Sequence, residues 1–539
     1  MAVNKYRDKR FLIIDSVKPS RDLLKQFAFN LDPEVVEASG YTKDIMLRCA
    51  ENHYDVLLLG YDLGESQKNG QQLLEELREN GLVNRQSVVI LITAENSQAM
   101  VLAALEHKPD DYLTKPYRPK DLLQRLDRCY NKKRHMKDIY QALDAQDSEA
   151  AIALCDRAIE RNTPYVTECF GIKSRQLFEQ NQFKQAAKIY HQFKSVRNCQ
   201  WASIGLGKIA LQEQDYSTAI NYFSELVDKH PLYLASYDWL ATSYETIEQY
   251  TKAQDILESA LNISPLSVKR LERFAKLCFD TGNYEKATRA FEQNYQLSFN
   301  SIHHKAENAF NFSEALNQLA PDLSEHDLKV KKNCVINALH ETSKTFNQAD
   351  VRVQSNLHTA RLMLKSHGEY DAKQLLSRTE KYIHSVTEQL ESSSMISISK
   401  LLIDLNRNET ANELITQVVE REPDNIELMA QVDMIVDGSV QKDEQAIAQQ
   451  ALNQASVYFR QNHYQQALAG LSAAQSLYPQ HIGIKLNLIQ ALLACHKQQN
   501  DEAKLVKAGE LLASLVGLPD SHPGHYRYQI LNEHYHSFK

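Results

Sequence analysis

The sequence predicts an α/β domain over residues 1–125, followed by an all-α helical solenoid over the rest of the chain. Short apolar runs typical of buried parallel strands alternate with amphipathic stretches in the first part, and none recurs later. Beyond that point apolar residues recur at helical spacing, and alanines return at a fixed interval of 34 residues. The change in pattern therefore marks a domain boundary, and no Gly/Ser linker accompanies it.

Five apolar runs predict the strands of the first domain. They are Phe11–Ile14, Val35–Val36, Val56–Leu59, Val88–Ile92 and Tyr112–Leu113. Pro19 and Pro119 predict the starts of two of the helices between and after them. Five strands with intervening helices predict a flavodoxin-like, doubly wound sheet, in which ligands lie at the carboxyl ends of the strands.

Internal repetition predicts the solenoid. Ala219, Ala253 and Ala287 are 34 residues apart, which is the period of a tetratricopeptide repeat. Other residues keep the same register: Leu206-Gly207, Leu240-Ala241 and Phe274-Ala275 in the first helix of each pair, and Phe223, Leu257 and Phe291 in the second. We expect the small residues where two helices of a hairpin touch and the large ones where hairpins pack on each other.

The repeat register divides the helical part into three regions. Residues 126–300 are predicted to form a first repeat block, and residues 301–350 an irregular helical break, because the period fails there. One long helix is expected within the break, over residues 328–346. Residues 351–539 are predicted to form a second repeat block with terminal helices, in which Ala411 and Ala467 mark the clearest copies.

Composition restricts the class of protein. A formal net charge of −8 over 539 residues gives no general attraction to nucleic acid or acidic lipid. No apolar stretch approaches the roughly 20 residues that a membrane helix needs. The eight cysteines are scattered without a Cys-x-x-Cys pair, which is typical of reduced thiols in a cytoplasmic protein. We therefore expect a cytoplasmic protein without membrane or nucleic-acid partners.

The ends of the predicted strands carry a specific set of residues. Asp15-Ser16 follows the first strand, Gly60 the third and Thr93-Ala94 the fourth, while Tyr112 and Lys115-Pro116 lie in and after the fifth. With these residues the first domain resembles the receiver domain of two-component response regulators. Gly70, ten residues after Gly60, matches a glycine of that family. The whole layout resembles bacterial response regulators whose output region is a tetratricopeptide repeat array.

The resemblance implies an acidic pair at positions 15 and 16 and a phosphate-accepting aspartate at position 60. Here Ser16 and Gly60 replace two of the three carboxylates that would hold Mg²⁺, and Gly60 also removes the nucleophile. The domain is therefore predicted to be a pseudo-receiver with no metal and no cofactor. Its degenerate pocket comprises Asp15, Ser16, Gly60, Asp62, Thr93, Tyr112 and Lys115.

Asp62 leaves an alternative open. It lies two residues beyond Gly60, at a loop position where receivers offer a backbone carbonyl to the metal, and its carboxylate is a candidate displaced acceptor. A shift of two residues moves a carboxylate by several ångströms, however, whereas catalysis tolerates misplacement of about 1 Å. An aspartate in an exposed turn needs no catalytic explanation.

The first helix of each repeat is expected to line a groove that binds protein. In the 34-residue register this groove set comprises Trp201, Lys208, Trp239, Thr242, Lys269, Arg273 and Lys276. Its basic and aromatic character suits an acidic or amphipathic peptide. The alternative for the two tryptophans is that they pack between repeats.

Two further patterns are better explained by packing or solvation. Gly205-Leu-Gly207-Lys208 lacks the spacing of a phosphate loop and no strand precedes it, so Gly207 is expected at a helix contact. The remaining candidates lack the carboxylate pairing of a helix-borne metal site and are expected on the surface: His303-His304, His522, His525, His534 and His536.

No arrangement of residues indicates an enzyme. The sequence favours a non-enzymatic signalling adaptor, in which a receiver docking face and the repeat groove bind protein partners. The alternative function is a phosphorylation-controlled response regulator that uses Asp62. A nucleic-acid regulator is a weaker third hypothesis, because the charge is balanced and no helix-turn-helix signal is present.

Overall fold

The computed structural model describes residues 5–64, 67–94, 102, 109–365, 368–439, 453–455, 457–477 and 480–538. It confirms the predicted fold class, an α/β domain followed by a long series of helices. The chain divides into two compact units, Met1–Leu319 and Ala320–Lys539. The division lies inside the region that the sequence predicts as an irregular break.

The α/β domain contains the five predicted strands. They are β1 (Arg10–Ile14), β2 (Val35–Ser39), β3 (Val56–Gly60), β4 (Val88–Thr93) and β5 (Asp111–Thr114). All pairings are parallel and the order is β2-β1-β3-β4-β5. Because β1, β3, β4 and β5 are consecutive neighbours, their carboxyl ends meet at one edge of the sheet.

Helices cover both faces of this sheet. They are α1 (Lys18–Phe29), α2 (Ile45–Glu51), α3 (Gly70–Glu79) and α4 (Pro119–His135). One face buries Leu12, Ile14, Leu57, Leu59 and Leu91 against α2 and α3, and the other buries Phe11, Ile13, Val56, Leu58 and Ile90 against α1 and α4. Successive residues of a strand point to opposite faces, so these continuous apolar runs supply both cores.

Helical hairpins make up the rest of the first unit. The helices are α5 (Lys137–Asp144), α6 (Ser148–Glu160), α7 (Val166–Glu179), α8 (Phe183–Phe193), α9 (Gln200–Gln212), α10 (Tyr216–Lys229), α11 (Ala235–Thr246), α12 (Tyr250–Ile263), α13 (Val268–Asp280), α14 (Tyr284–Ser298) and α15 (Ala306–Leu319). Only Met136 separates α4 from α5, so the array starts directly from the α/β domain.

The 34-residue register corresponds to real contacts between helices. Ala219, Ala253 and Ala287 are fully buried. A Cβ added at Gly207 would overlap the Phe223 ring, which lies on the second helix of the same hairpin. Gly207 is therefore at the helix contact that the sequence predicts, and its role is packing.

The second unit is helical throughout its described residues. Its α-helices are α16 (Glu325–Thr345), α17 (Ala349–Leu364), α18 (Glu369–Val386), α19 (Ser392–Asp404), α20 (Asn408–Arg421), α21 (Ile426–Ser439), α22 (Tyr464–Leu477), α23 (Ile482–Gln499), α24 (Glu502–Ala513) and α25 (His525–Ser537), with short 3₁₀ turns at Ala320–Asp322 and Thr387–Gln389. The long helix expected over residues 328–346 is α16. Ala411 and Ala467 are fully buried. In the described part of the chain, no helix combines the length and apolarity required to cross a bilayer.

Candidate functional site

Four residues of the predicted pocket lie at the carboxyl edge of the sheet. Asp15 follows β1, Gly60 ends β3, Thr93 ends β4 and Lys115 follows β5. Asp15 and Thr93 are buried. The backbone N–H of Lys115 donates to the Thr93 carbonyl oxygen at 2.7 Å, which holds the last two strand ends together. The peptide bond that follows Lys115 is cis.

The Asp15 carboxylate accepts three hydrogen bonds from groups of the protein. Its Oδ2 accepts from Lys115 Nζ at 2.8 Å and from Ser20 Oγ at 2.8 Å. Its Oδ1 accepts from the backbone N–H of Val17 at 2.9 Å. The ion pair with Lys115 neutralises the charge of this buried carboxylate. Ser20 has no counterpart among the residues that the sequence singles out, although it lies only one helical turn beyond them.

Gly60 lies directly against Asp15. A Cβ at Gly60 would be 3.3 Å from Asp15 Cα, Asp15 Cγ and the Ile14 carbonyl oxygen, which is tighter than ordinary van der Waals contact. On its other side, a Cβ at Gly70 would collide with the Gly60 carbonyl oxygen. The Gly70 N–H donates to the Tyr61 carbonyl oxygen at 2.8 Å. The end of β3 and the start of α3 thus pack backbone against backbone.

Ser16 and Asp62 are joined directly. Ser16 Oγ donates to the backbone carbonyl oxygen of Asp62 at 2.9 Å. The Asp62 side chain is exposed, and its Oδ1 accepts from the Gly64 N–H at 2.9 Å. The Asp62 carboxylate therefore caps its own turn, and its carbonyl oxygen faces Ser16.

Two tyrosines follow the same edge. Tyr112 on β5 is half-buried and packs against the core that lies under α2 and α3. Tyr117 was not singled out from the sequence. Burial, assisted by the negative charge of Asp15, raises the pKa of Tyr117 to about 12. Tyr117 packs against the core that lies under α1 and α4.

The pocket residues do not fit the Mg²⁺ ion that the resemblance implies. Mg²⁺ prefers near-octahedral coordination that includes carboxylates. Only Asp15 supplies a carboxylate at the expected positions, and Lys115, Ser20 and the Val17 N–H already occupy its oxygens. The Ser16 hydroxyl donates a hydrogen bond to the Asp62 carbonyl oxygen. That carbonyl is the backbone oxygen that the resemblance assigns to the metal.

Comparison with known proteins decides the identity of this domain. Residues 11–127 match the sequence profile of the response regulator receiver domain family. Residues 11–127 form a receiver domain. The transcriptional regulatory protein SrrA of Staphylococcus aureus is 31% identical over 115 residues, which are 21% of this chain and 45% of SrrA. The chain thus spans about half the length of the curated relatives that it matches.

The helical array also matches a known family. Residues 212–294 match the profile of anaphase-promoting complex, cyclosome, subunit 3, a family with tetratricopeptide-like repeats.

Solved structures similar to parts of this chain include a receiver domain and a MamA protein. The receiver domain of Francisella response regulator 1452 is 25% identical, with a TM-score of 0.21, and the match covers 23% of this chain and 98% of that one. MamA from Desulfovibrio magneticus RS-1 is 17% identical, with a TM-score of 0.26, over 31% of this chain and 94% of that one.

The aromatic and basic members of the groove set make contacts between helices. The ring centroid of Trp201 lies 5.4 Å from that of Phe193, and Trp239 stacks on Phe223 at 6.3 Å. Lys208 Nζ lies 4.9 Å from the centre of the Trp239 ring. Burial, reinforced by the charge of Arg175, lowers the pKa of Lys208. Both half-buried tryptophans therefore contact neighbouring helices.

Thr242 and Arg273 take part in contacts between successive repeats. Arg273 forms two hydrogen bonds with the Glu245 carboxylate, each 3.0 Å long, and a third with Thr242 Oγ1 at 2.8 Å. Its neighbour Arg270 is buried and pairs with Asp238 at 2.8 and 2.9 Å. The Arg270–Asp238 pair was not anticipated. These arginines fasten α13 to α11.

Lys269 and Lys276 are the exposed cations of the groove set. Lys276 pairs with Glu272 on its own helix, and such exposed pairs contribute little to stability. Lys269 Nζ lies 3.4 Å from Glu75 Oε1 of the receiver. Lys269, Arg273 and Lys276 line a surface cavity of about 380 Å³ together with Glu245, Glu272 and Asp280. The cavity is therefore mixed in charge, with three cationic and three carboxylate side chains.

Proposed function

We propose that this chain is a cytoplasmic, non-enzymatic signalling adaptor, with a receiver that works without phosphorylation and repeats that bind protein. The observation that carries the proposal is the state of the pocket. Gly60 stands where an acceptor carboxylate belongs, and the one remaining carboxylate, Asp15, already accepts hydrogen bonds from Lys115, Ser20 and a backbone N–H.

The chemistry of phosphorylation supports this proposal. Transfer to an aspartate needs a carboxylate nucleophile and a metal ion that neutralises the phosphoryl group. A glycine at position 60 supplies neither a nucleophile nor a metal ligand. Lys115 Nζ, 2.8 Å from Asp15, already has a strong ionic partner. Because no phosphoryl group distinguishes two states of the pocket, phosphate cannot shift the equilibrium between them.

The partner is proposed to be a protein segment with acidic groups. Lys269 and Lys276 project from α13 with 67% and 55% of their side chains exposed, and both already hold carboxylates of this chain. Exposed ammonium groups on a rigid helix suit carboxylates of an extended or helical ligand. Trp201 and Trp239 pack against Phe193 and Phe223 on neighbouring helices, so the two lysines are the groups proposed to contact the ligand.

A titration of the full chain with Mg²⁺ and beryllium fluoride tests the proposal. By isothermal titration calorimetry, the natural chain is expected to give no saturable heat at a few millimolar Mg²⁺. The double variant Ser16→Asp with Gly60→Asp is the matched control, because it restores both missing carboxylates and should gain a binding signal. Saturable binding to the natural chain would contradict the proposal and favour Asp62 as a displaced acceptor.

A further inference from the structure

The receiver meets the repeat array a second time, far from the point where the array starts. Glu75 on α3 has a side chain that is only 8% exposed. Its Oε1 lies 2.8 Å from His303 Nε2, in the turn that follows α14, and 3.4 Å from Lys269 Nζ on α13. A carboxylate buried to this degree requires such partners. His303 therefore belongs to an internal contact, and its predicted place on the surface was wrong.

Further contacts extend this interface around Glu75. Gln72 Nε2, one turn earlier on α3, donates to the carbonyl oxygens of Phe299 at 3.2 Å and Leu297 at 3.4 Å. These carbonyls lie at and just beyond the end of α14, where a helix leaves its acceptors unsatisfied. Gln72 thus supplies one of the hydrogen-bond donors that this helix end needs.

An apolar contact lies beside the polar one. Leu102, which lies between β4 and β5, is buried in one cluster with Leu234, Tyr237 and Ala260 of the repeats. Burying a leucine side chain contributes about 1.5–3 kcal/mol. The interface therefore has both an apolar part and a charged part.

The interface is continuous with the receiver pocket. Tyr61 directly follows Gly60, and Asn69 Nδ2 lies 3.4 Å from its hydroxyl oxygen. Asn69 also caps α3, the helix that carries Glu75. Tyr61, Asn69 and Glu75 line one cavity of about 410 Å³ with Lys269 and Phe299 of the repeats. Gly60, at the pocket, and Glu75, at the array, are thus linked through the contacts of Tyr61 and Asn69.

We propose that Glu75 is an internal competitor for the acidic partner of the repeats. In this arrangement α3 of the receiver presents a carboxylate to Lys269 and His303, and an acidic protein segment binds by displacing it. The inference rests on the proposed function and adds to it a means of control. Binding of the partner and docking of the receiver are mutually exclusive at Lys269.

Peptide binding to the full chain tests the competition. The probe is a fluorescein-labelled peptide of ten glutamates, followed by fluorescence anisotropy. Glu75→Gln keeps the shape of the side chain but removes its charge, and should bind the probe roughly fivefold or more tightly than the natural chain, the size of a typical coupling between sites. Glu79→Gln is the matched control, since Glu79 is exposed on the same helix, and should leave the affinity unchanged.

Two further measurements test whether the gain in affinity comes from loss of the contact between Glu75 and the repeats. In the Glu75→Gln background, Lys269→Gln should abolish the gain in affinity. Amide hydrogen exchange over residues 297–303 should rise in Glu75→Gln but not in Glu79→Gln, which reports the loss of docking without any ligand. Equal affinities of the natural chain and Glu75→Gln, or unchanged exchange, would overturn the competition. Neither result depends on Mg²⁺ or phosphate, so failure here is distinct from failure of the proposed function.

Discussion

Glu75 Oε1 of the receiver lies 2.8 Å from His303 Nε2, although 228 residues separate the two along the chain. A second ionic joint lies near the start of the array, where Arg85 Nη1 is 2.5 Å from Asp144 Oδ1. Lys133 Nζ donates to the Arg85 carbonyl oxygen at 2.6 Å beside it. The first unit is therefore a closed arrangement in which the repeats leave the receiver and return to it. Damage to a hairpin is expected to reach the receiver, unlike in an open solenoid.

Adding a single methyl group at Gly60 should lower stability. In Gly60→Ala the new Cβ meets Asp15 and the Ile14 carbonyl oxygen at 3.3 Å, so we expect the free energy of unfolding to fall by about 1–3 kcal/mol. Gly40→Ala is the matched control, because the nearest atom to its Cβ is an arginine nitrogen at 3.8 Å. Urea unfolding followed by circular dichroism compares the two. Equal stabilities would show that Gly60 is not crowded.

Overpacking one hairpin should destabilise the first unit. Ala253 is fully buried, and Ala253→Leu is expected to cost about 1–3 kcal/mol. Thr251→Leu, on the exposed side of the same helix, is the control and should cost less than 0.5 kcal/mol, roughly the effect of an ordinary surface substitution. Both tryptophans of the chain, Trp201 and Trp239, lie in this unit, so urea unfolding followed by tryptophan fluorescence reports on it. An unchanged midpoint in Ala253→Leu would show that the repeat register is wrong.

Substitutions at equivalent turn positions of two successive hairpins should change the free energy of unfolding in opposite directions. Gln214, Glu248 and Gly282 are 34 residues apart and have φ of +62°, +59° and +79°. Glu248→Gly should raise the free energy of unfolding by up to about 1 kcal/mol, because glycine adopts positive φ without strain. Gly282→Ala should lower it by about 1 kcal/mol for the converse reason. Open space around Gly282 excludes a clash as the cause. Tryptophan fluorescence during urea unfolding measures both, and changes of the same sign would contradict this account.

His358 should make the second unit sensitive to acid. Burial, reinforced by the positive charge of Arg361, lowers the pKa of His358 from 6.5 to about 3. Below pH 6.5, His358 binds a proton in the unfolded chain but stays neutral in the folded chain. The free energy of unfolding therefore falls as the pH falls. The slope approaches about 1.4 kcal/mol per pH unit.

The comparison that isolates this effect uses His358→Asn. Its amide oxygen can accept the hydrogen bond that Arg361 Nη2 makes with His358 Nδ1 at 3.2 Å, but it does not titrate. Urea unfolding followed by circular dichroism between pH 7.5 and about 5 should therefore show a shallower loss of stability in this variant. His340→Asn is the exposed control and should follow the natural chain. Identical slopes for all three proteins would exclude His358 as the source.

Local patterns predicted the fold, because the signals that set it are local. Five apolar runs specified five strands, and alanines at a fixed interval specified the hairpin contacts. The turn residues carry the same period, but glutamine and glutamate at positions 214 and 248 give no sign of positive φ. That part of the repeat was therefore invisible in the sequence.

Only those features of the candidate site that follow from the order of the strands could be predicted from the sequence. Parallel neighbours bring Asp15, Gly60 and Lys115 to one edge, so their proximity follows from the topology. The topology does not determine which of these side chains form ion pairs. The pairing of Lys115 with Asp15 is seen only in the structure. Glu75 and His303 were beyond prediction, because each resembles an ordinary surface residue until the array returns to the receiver.

Intact mass spectrometry after incubation with acetyl phosphate and Mg²⁺ tests the central claim most directly. The full chain, with Gly60 at the acceptor position and Asp15 already paired, is predicted to show no gain in mass. The double variant with aspartate at positions 16 and 60 serves as the control for a competent phosphodonor. An acid-labile gain of one phosphoryl group on the natural chain, abolished by Asp62→Asn, would contradict the adaptor and establish a switch that uses a displaced acceptor.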